Sequence, residues 1–328
     1  MTSLMKAAVY RQYGPPSVVR LEECPKPVPG ANDVLIRVRA ATVTSADWRI
    51  RSLSMPHGFG AAGRLAFGIN APRQPVLGSE LAGDVVEVGA GVHKFTVGDA
   101  VVAFTGAKLG AHAEYCRVRA DGVMVHKPSA LSYETAAALP FGGTTALDFF
   151  RRGVLRAGDR VLINGASGTV GSAMVQIAVQ AGAEVTAVCS SANTEAMQQL
   201  GAAHTIDYTR VDFAAGGQQY DIIADTVGNA PYSRVRPVLA ARGRLLLVLA
   251  TLPEMLRAPW VNITSKHRVV AGPAAERVDD LQTLVDMAVD GRFTPLIDSR
   301  FPFSEVAAAH ARVDTGRKRG SVIVTHAM

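Results

Sequence analysis

From residue 160 to residue 272, short apolar, β-branched runs alternate with helix-compatible stretches, and this rhythm limits the fold more than any other feature of the chain. The runs cover 160–164, 184–189, 204–206, 221–226, 243–250 and 267–272, with helices expected over roughly 170–181, 192–200 and 232–240. Apolar strands separated by helices predict a parallel sheet covered on both faces, an α/β fold. The first joint in the series reads "NGASGTVGSA" (164–173), with Gly165, Gly168 and Gly171 spaced three apart. Such a triplet has two readings. It lets a helix pack closely on a strand, or it lets bare backbone cradle a diphosphate at a helix N-terminus.

The first ~125 residues have another texture. "DVLIRVRAATV" (33–43) alternates apolar and polar residues, and similar runs follow at 83–92, 99–105 and 112–121 with Gly and Asp between them. That is the pattern of short strands in a β-rich domain. Residues 52–75 break it: Gly- and Pro-punctuated yet apolar, they read as a long loop with a short helix, of the composition of a lid. Residues 132–153 read as two helices, the first capped by Ser132. Beyond 272 come a helix at 278–290, a segment near 295–301, a helix at 304–314 and a strand at 320–326. A length of 328 residues suits two domains.

Apolar residues make up 48% of the chain, yet no run reaches the ~18 residues of a membrane span. The N-terminus lacks the long apolar core of a secretory signal. Cys24, Cys116 and Cys189 are far apart and form no CxxC pair. This argues against a disulfide framework or a structural zinc lobe and fits a reducing, cytoplasmic setting. The net charge of +6 comes from Lys and Arg scattered along the chain, apart from "GRKRG" at 316–320, so no nucleic-acid partner is expected.

If the glycine turn is a cradle, Ser167, Gly168, Thr169 and Val170 line it. The next strand should end beside the adenosine ribose, where NAD sites usually carry Asp or Glu. Here it ends Cys189, Ser190, Ser191, Ala192, Asn193. Glu184 is at the wrong end of the strand, and Glu195 lies one turn into the next helix. Hydroxyls and helix-start N–H groups accept a 2′-phosphate that a carboxylate would repel, so Ser190, Ser191 and Asn193 point to NADP(H). The plainer reading makes the serines helix caps, and no Arg or Lys stands at 190–193. Tyr208 flanks the phosphate or simply packs. Asp225 and Val227 end the fourth strand, with the adenine-side and packing readings both open. Leu249, in "LLLVLAT" (245–251), reaches the carboxyl edge of the sheet where ligands bind, and is otherwise core.

"LGSELAGDVVEVGAGVHKFTVGDAVVAF" (77–104), "AAALPFGGTTALDFF" (136–150), "VLINGASGTVGSAMVQIA" (161–178) and "YDIIADTVG" (220–228) occur in an order and spacing that resemble the medium-chain dehydrogenase/reductase superfamily, in its zinc-lacking quinone oxidoreductase-like branch. The resemblance covers nearly the whole chain. It implies a GroES-like β-barrel at 1–125, completed by 273–328, and a Rossmann doubly wound parallel sheet at 126–272. It places the cofactor in the cleft between them. It implies a homodimer paired through the sheet edge near 255–270. It puts Thr144 near the nicotinamide phosphate, with helix capping as the alternative. It brings Lys318, in "GRKRGSVIVTH", toward the cofactor, with a solvated basic turn as the alternative.

Zinc-dependent relatives carry a Cys after the first long strand and a His before the signature Glu. The matching stretches here, "TVTSADW" and "GSE", offer Thr44, Ser45 and Ser79, which are poor zinc ligands, so no metal is expected. Without a Lewis acid the substrate should carry its own electron sink, as a quinone or an α,β-unsaturated carbonyl does. Many relatives also have Asn-x-x-Asp followed by Tyr, where this chain has Thr44, Asp47 and Arg49. The tyrosine assignment does not carry over. Thr44 is left to bond the nicotinamide ribose or the substrate oxygen, or to be a plain strand threonine. Arg49 and Arg51 are left to stabilise developing charge, or to sit solvated. Asp47 reads as a helix-start acid, and water as a candidate proton source. The expected activity is an NADPH-dependent, zinc-independent reduction of a quinone or activated alkene by a small-molecule reductase. A zinc-free alcohol or carbonyl dehydrogenase is one alternative. A non-catalytic NADPH-binding protein of the crystallin-like or RNA-binding kind is the other.

Overall fold

The computed structural model describes residues 3–326, so the outermost residues of the expected barrel segments, 1–2 and 327–328, lie outside them. The chain forms two units. The first takes the residues through 55, then 60–141, then those from 276 on; the second takes 56–59 and 142–275.

The first unit begins with β1 (Leu4–Val9) and β2 (Arg20–Pro25), an antiparallel pair. Then come β3 (Asp33–Val43), α1 (Ser45–Ser52), α2 (Gly60–Phe67), β4 (Glu80–Val88), β5 (Ala100–Phe104), β6 (Tyr115–Arg119), β7 (Val123–His126) and α3 (Tyr133–Ala137). Ser132 caps α3, its hydroxyl accepting the Thr135 N–H at 3.1 Å. Helix α4 (Pro140–Gly153) follows.

The second unit continues with β8 (Arg160–Asn164), α5 (Thr169–Gln180), β9 (Glu184–Cys189), α6 (Thr194–Gln199), β10 (His204–Asp207), β11 (Tyr220–Asp225), α7 (Tyr232–Val235), β12 (Leu239–Leu247), α8 (Leu252–Thr264) and β13 (Arg268–Val270). The first unit is completed by α9 (Val278–Val289), β14 (Ile297–Pro302), α10 (Val306–Asp314) and β15 (Ser321–Thr325). The division falls after 141 and 275, whereas the sequence put it after 125 and 272. Helix α3 packs on β3 and β4, which draws it into the first unit.

In the first unit the sheet order is β14-β15-β3-β4-β5-β7, with β6 also pairing β3. Only β14 and β15 run parallel; the other pairs are antiparallel. The side chains of Val34, Ile36, Val38, Leu81, Val85, Val101 and Met124 close one core, and Val306, Ala309 and Val313 of α10 cover Val43, Val322 and Val324. The long strand β3 alternates only from Ile36 to Ala40 and is buried throughout from Ala40 to Val43, where Ala41 and Val43 pack in two different core clusters.

In the second unit six parallel strands stand in the order β10-β9-β8-β11-β12-β13. Numbered from β8, this is the order 3-2-1-4-5-6 of a doubly wound sheet, and it reverses between β8 and β11. The last residues of those two strands, Asn164 and Asp225, are register partners, so both loops that leave them open at the switch point. Helix α5 is buried from Gly171 to Ala178, as its apolar sequence requires.

Two elements differ from the sequence reading. The helix expected over 232–240 ends at Val235. A 3-10 turn containing Pro237 follows, and β12 starts at Leu239 rather than at 243. Helix α8 has no counterpart in the sequence reading; it holds Pro253 in its first turn and Pro259 in its interior. A capping box starts it: the Thr251 hydroxyl donates to Glu254 at 2.7 Å and accepts the Glu254 N–H at 3.4 Å.

Candidate dinucleotide site

The glycine triplet decides between its two readings one residue at a time. Gly165 has φ +81°, and a Cβ there would fall 2.5 Å from Thr226 Oγ1. The Thr226 hydroxyl donates to the Asn164 carbonyl at 2.8 Å, which ties the loop after β11 onto the loop after β8. A Cβ on Gly171 would fall 2.2 Å from the Gly165 carbonyl oxygen, so α5 packs directly on the turn. Packing therefore explains both. It does not explain Gly168, which has φ −77° and whose Cβ would meet only the Gly165 oxygen, at 3.4 Å. Gly168 is the N-cap of α5 and brings no side-chain cap to the first turn of a twelve-residue helix. The middle glycine thus leaves open space where the helix dipole favours an anion.

Around this turn the second unit gathers much of what the sequence singled out. The Asn193 amide donates to Ser167 Oγ at 3.1 Å and to Ser190 Oγ at 3.2 Å, joining the glycine turn to the turn after β9. Ser191 and Asn193 lie in a 3-10 turn ahead of the short α6. The Tyr208 N–H donates to the Cys189 carbonyl at 3.2 Å, and its ring is exposed. Val227 is exposed beside Gly165, and a Cβ on Gly228 would fall 3.1 Å from Leu249. Thr144 is buried on α4, and a Cβ on Gly142 of that helix would fall 2.6 Å from the Thr169 carbonyl.

Asp225 holds the switch point together. Its fully buried carboxylate accepts the Asn164 amide at 2.9 Å, the Val227 and Gly228 N–H groups at 3.0 Å each, and the Ala230 N–H at 2.8 Å. Sequence reading left Asp225 open between ligand and packing. The signal that would have found its role is the pairing of a polar Asn164 with a polar Asp225 at the ends of two apolar strands.

Thr44, Arg49 and Lys318 belong to the first unit. Thr44 caps α1 in a reciprocal box: its hydroxyl donates to Asp47 at 2.7 Å, and the Asp47 N–H returns to it at 3.2 Å. Asp47 also accepts the Gly78 N–H at 2.8 Å. Arg49 stacks over Trp48 and donates to the Ser54 carbonyl at 3.0 Å, and burial lowers its pKa. Arg51 is buried and paired with Asp314.

The signature acid, Glu80, is fully buried. It accepts the Thr42 hydroxyl and, at 2.6 Å, the Phe141 N–H. Burial pushes its carboxyl up to about 7 against those two hydrogen bonds. Lys318 is half-buried, and its ammonium donates to the Gly320 carbonyl at 2.7 Å. Burial pushes it down to about 8, against the pull of Asp298 and Glu80. Ser79 is buried with its hydroxyl unbonded. Among the described residues no three His, Cys, Asp or Glu side chains are grouped to hold a metal ion, so the donor set does not fit zinc.

Two family descriptions match the chain: "Alcohol dehydrogenase GroES-like domain" over residues 30–129 and "Zinc-binding dehydrogenase" over residues 200–324. A chloroplast envelope quinone oxidoreductase homolog of Arabidopsis thaliana is 30% identical over 98% of both chains. A 2-methylene-furan-3-one reductase of Solanum lycopersicum is 30% identical over 98% of this chain and 79% of its own. The solved structure of the quinone oxidoreductase from Coxiella burnetii superposes with a TM-score of 0.87 at 28% identity, covering 98% of this chain and 99% of that one.

Proposed function

Because the chain belongs to the medium-chain dehydrogenase/reductase superfamily, in its quinone oxidoreductase-like branch, we propose that it is an NADPH-dependent reductase of quinones or α,β-unsaturated carbonyls that works without zinc. The observation that carries this reading is Gly168, a glycine that packing does not require, at the uncapped start of α5. The first-turn N–H groups of α5 would hold the cofactor diphosphate, and Ser190, Ser191 and Asn193 the 2′-phosphate. Val227, Leu249, Thr144 and Lys318 are assigned to its remaining length. When bound, the cofactor supplies the hydride.

The misfit of the donor set to zinc supports the proposed substrate class. Ser79 and Thr44 stand where His and Cys would, so the acceptor must delocalise its own charge. Arg49 is our candidate for stabilising that charge. The Thr44 hydroxyl is committed to Asp47, so Thr44 would act by fixing the start of the helix that bears Arg49. We assign the proton to water. We also propose a homodimer, seated on Leu256, Trp260 and Ile263, which line one side of α8 at 71%, 70% and 81% exposure. Plain continuation of the sheet is disfavoured at Val269, whose N–H and C=O are bonded by the Asn262 side chain at 2.6 and 3.1 Å.

The test follows NADPH oxidation at 340 nm with 1,4-benzoquinone, a simple enone and a simple ketone. Turnover of the first two without the third is expected. Ketone turnover would favour the alcohol-dehydrogenase alternative, and cofactor binding with no turnover of any acceptor a non-catalytic protein.

A further inference from the structure

The 2′-phosphate seat assigned above has hydroxyls and an amide but no cation, and the whole stretch from 161 to 211 contains a single Lys or Arg, Arg210. The sheet brings it to the seat. Strands β9 and β10 are parallel neighbours with Cys189 opposite Asp207, so the turn after β10 emerges beside Ser190 and Ser191. That turn is tight: the N–H groups of Arg210 and Val211 both donate to the Asp207 carbonyl at 3.0 Å.

The Asp207 side chain divides its work. Oδ1 accepts the Thr209 N–H at 2.9 Å and the Thr209 hydroxyl at 2.7 Å. Oδ2 is buried and lacks a hydrogen bond of good geometry; the Ser191 hydroxyl of the turn after β9 is close enough to the carboxylate to help the Thr209 bonds lower its pKa, and Arg210 Nε lies 3.7 Å from Oδ2. The Arg210 side chain is 80% exposed. A long ion pair whose guanidinium is in solvent holds that guanidinium weakly.

We propose that Arg210 determines specificity for the 2′-phosphate, leaving its loose pair with Asp207 to form charge-assisted hydrogen bonds with the phosphate across the turn. A guanidinium matches a phosphate better than any hydroxyl does, and its charge is permanent. Asp207 then acts as the resting partner of Arg210 rather than as a ribose acid. Its oxygens face Thr209, Arg210 and the Ser191 hydroxyl, so in the resting state it also engages one of the seat's donors. The inference rests on the NADPH reading and sharpens it.

The experiment measures NADPH and NADH affinity by nucleotide fluorescence for the full chain and for Arg210→Ala, Arg210→Lys and Asp207→Asn. Arg210→Ala is expected to weaken NADPH about tenfold and NADH less than twofold, with Arg210→Lys recovering part of the loss. Asp207→Asn is expected to leave NADH unchanged and NADPH unchanged or tighter. Equal effects of Arg210→Ala on the two cofactors would overturn the inference, as would loss of NADH binding in Asp207→Asn. If neither cofactor binds the unaltered protein, it is the NADPH reading itself that fails.

Discussion

Two buried carboxylates, one in each unit, are built in opposite ways. Asp225 receives four hydrogen bonds, three of them from backbone N–H groups of a single short loop. Glu80 receives two, and the loss of water around it outweighs them, so its carboxyl titrates near neutrality. The first arrangement fixes a loop; the second leaves a proton exchangeable in the interior. Several backbone donors make Asp225 a pin for its loop, whereas burial with two donors raises the Glu80 carboxyl.

Removing the pin should have the largest effect. Asp225→Ala would strand three backbone N–H groups at the switch point and leave the Asn164 amide only its bond to Asn229, and is expected to cost about 3 kcal/mol or more in urea denaturation. It should also raise the NADPH dissociation constant, because the loops after β8 and β11 lose their tie. A variant as stable as the parent would erase the contrast with Glu80.

Next in size is the glycine that packing does not need. Gly168→Asp should weaken NADPH about 100-fold while moving the urea midpoint by less than about 0.5 kcal/mol. Gly171→Ala should do the reverse of this in kind, costing stability first, since its Cβ would lie 2.2 Å from the Gly165 carbonyl. Unchanged NADPH affinity in Gly168→Asp would remove the cradle reading.

Much of the second unit was legible because its signals are local. Apolar runs and the glycine triplet depend on neighbours within a few residues, as does the Ser132 cap in the first unit. Helix α8 has no counterpart in the sequence reading, although its Thr251–Glu254 capping box is a local signal. The partnership of Asp207 with the turn after β9 was illegible for another reason. It arises from parallel strand register, which the sequence does not display. The same holds for Glu80: its pattern position marked it as important, but its two donors come from β3 and the start of α4.

The smallest effect is the most diagnostic of the contrast, because it changes with pH. Glu80 has a folded-state pKa of about 7, above its ordinary 4.5. The neutral carboxyl therefore supports the fold fully below about pH 4.5, and that support is lost as pH rises through about 7. His326 works in the other direction: burial pushes it from 6.5 down to about 4, so its contribution is present above pH 6.5 and is lost as pH falls toward 4. The two losses overlap between about pH 4.5 and 6.5 and offset one another there, so the stability of the first unit should be nearly flat across that window. Glu80→Gln keeps an acceptor for the Phe141 N–H but cannot ionise. It should gain on the parent protein between pH 5 and pH 8, by about 2 kcal/mol at the upper end in urea denaturation. A difference that stays flat across that range would mean that Glu80 is pinned as firmly as Asp225, and the distinction between the two units' carboxylates would fall.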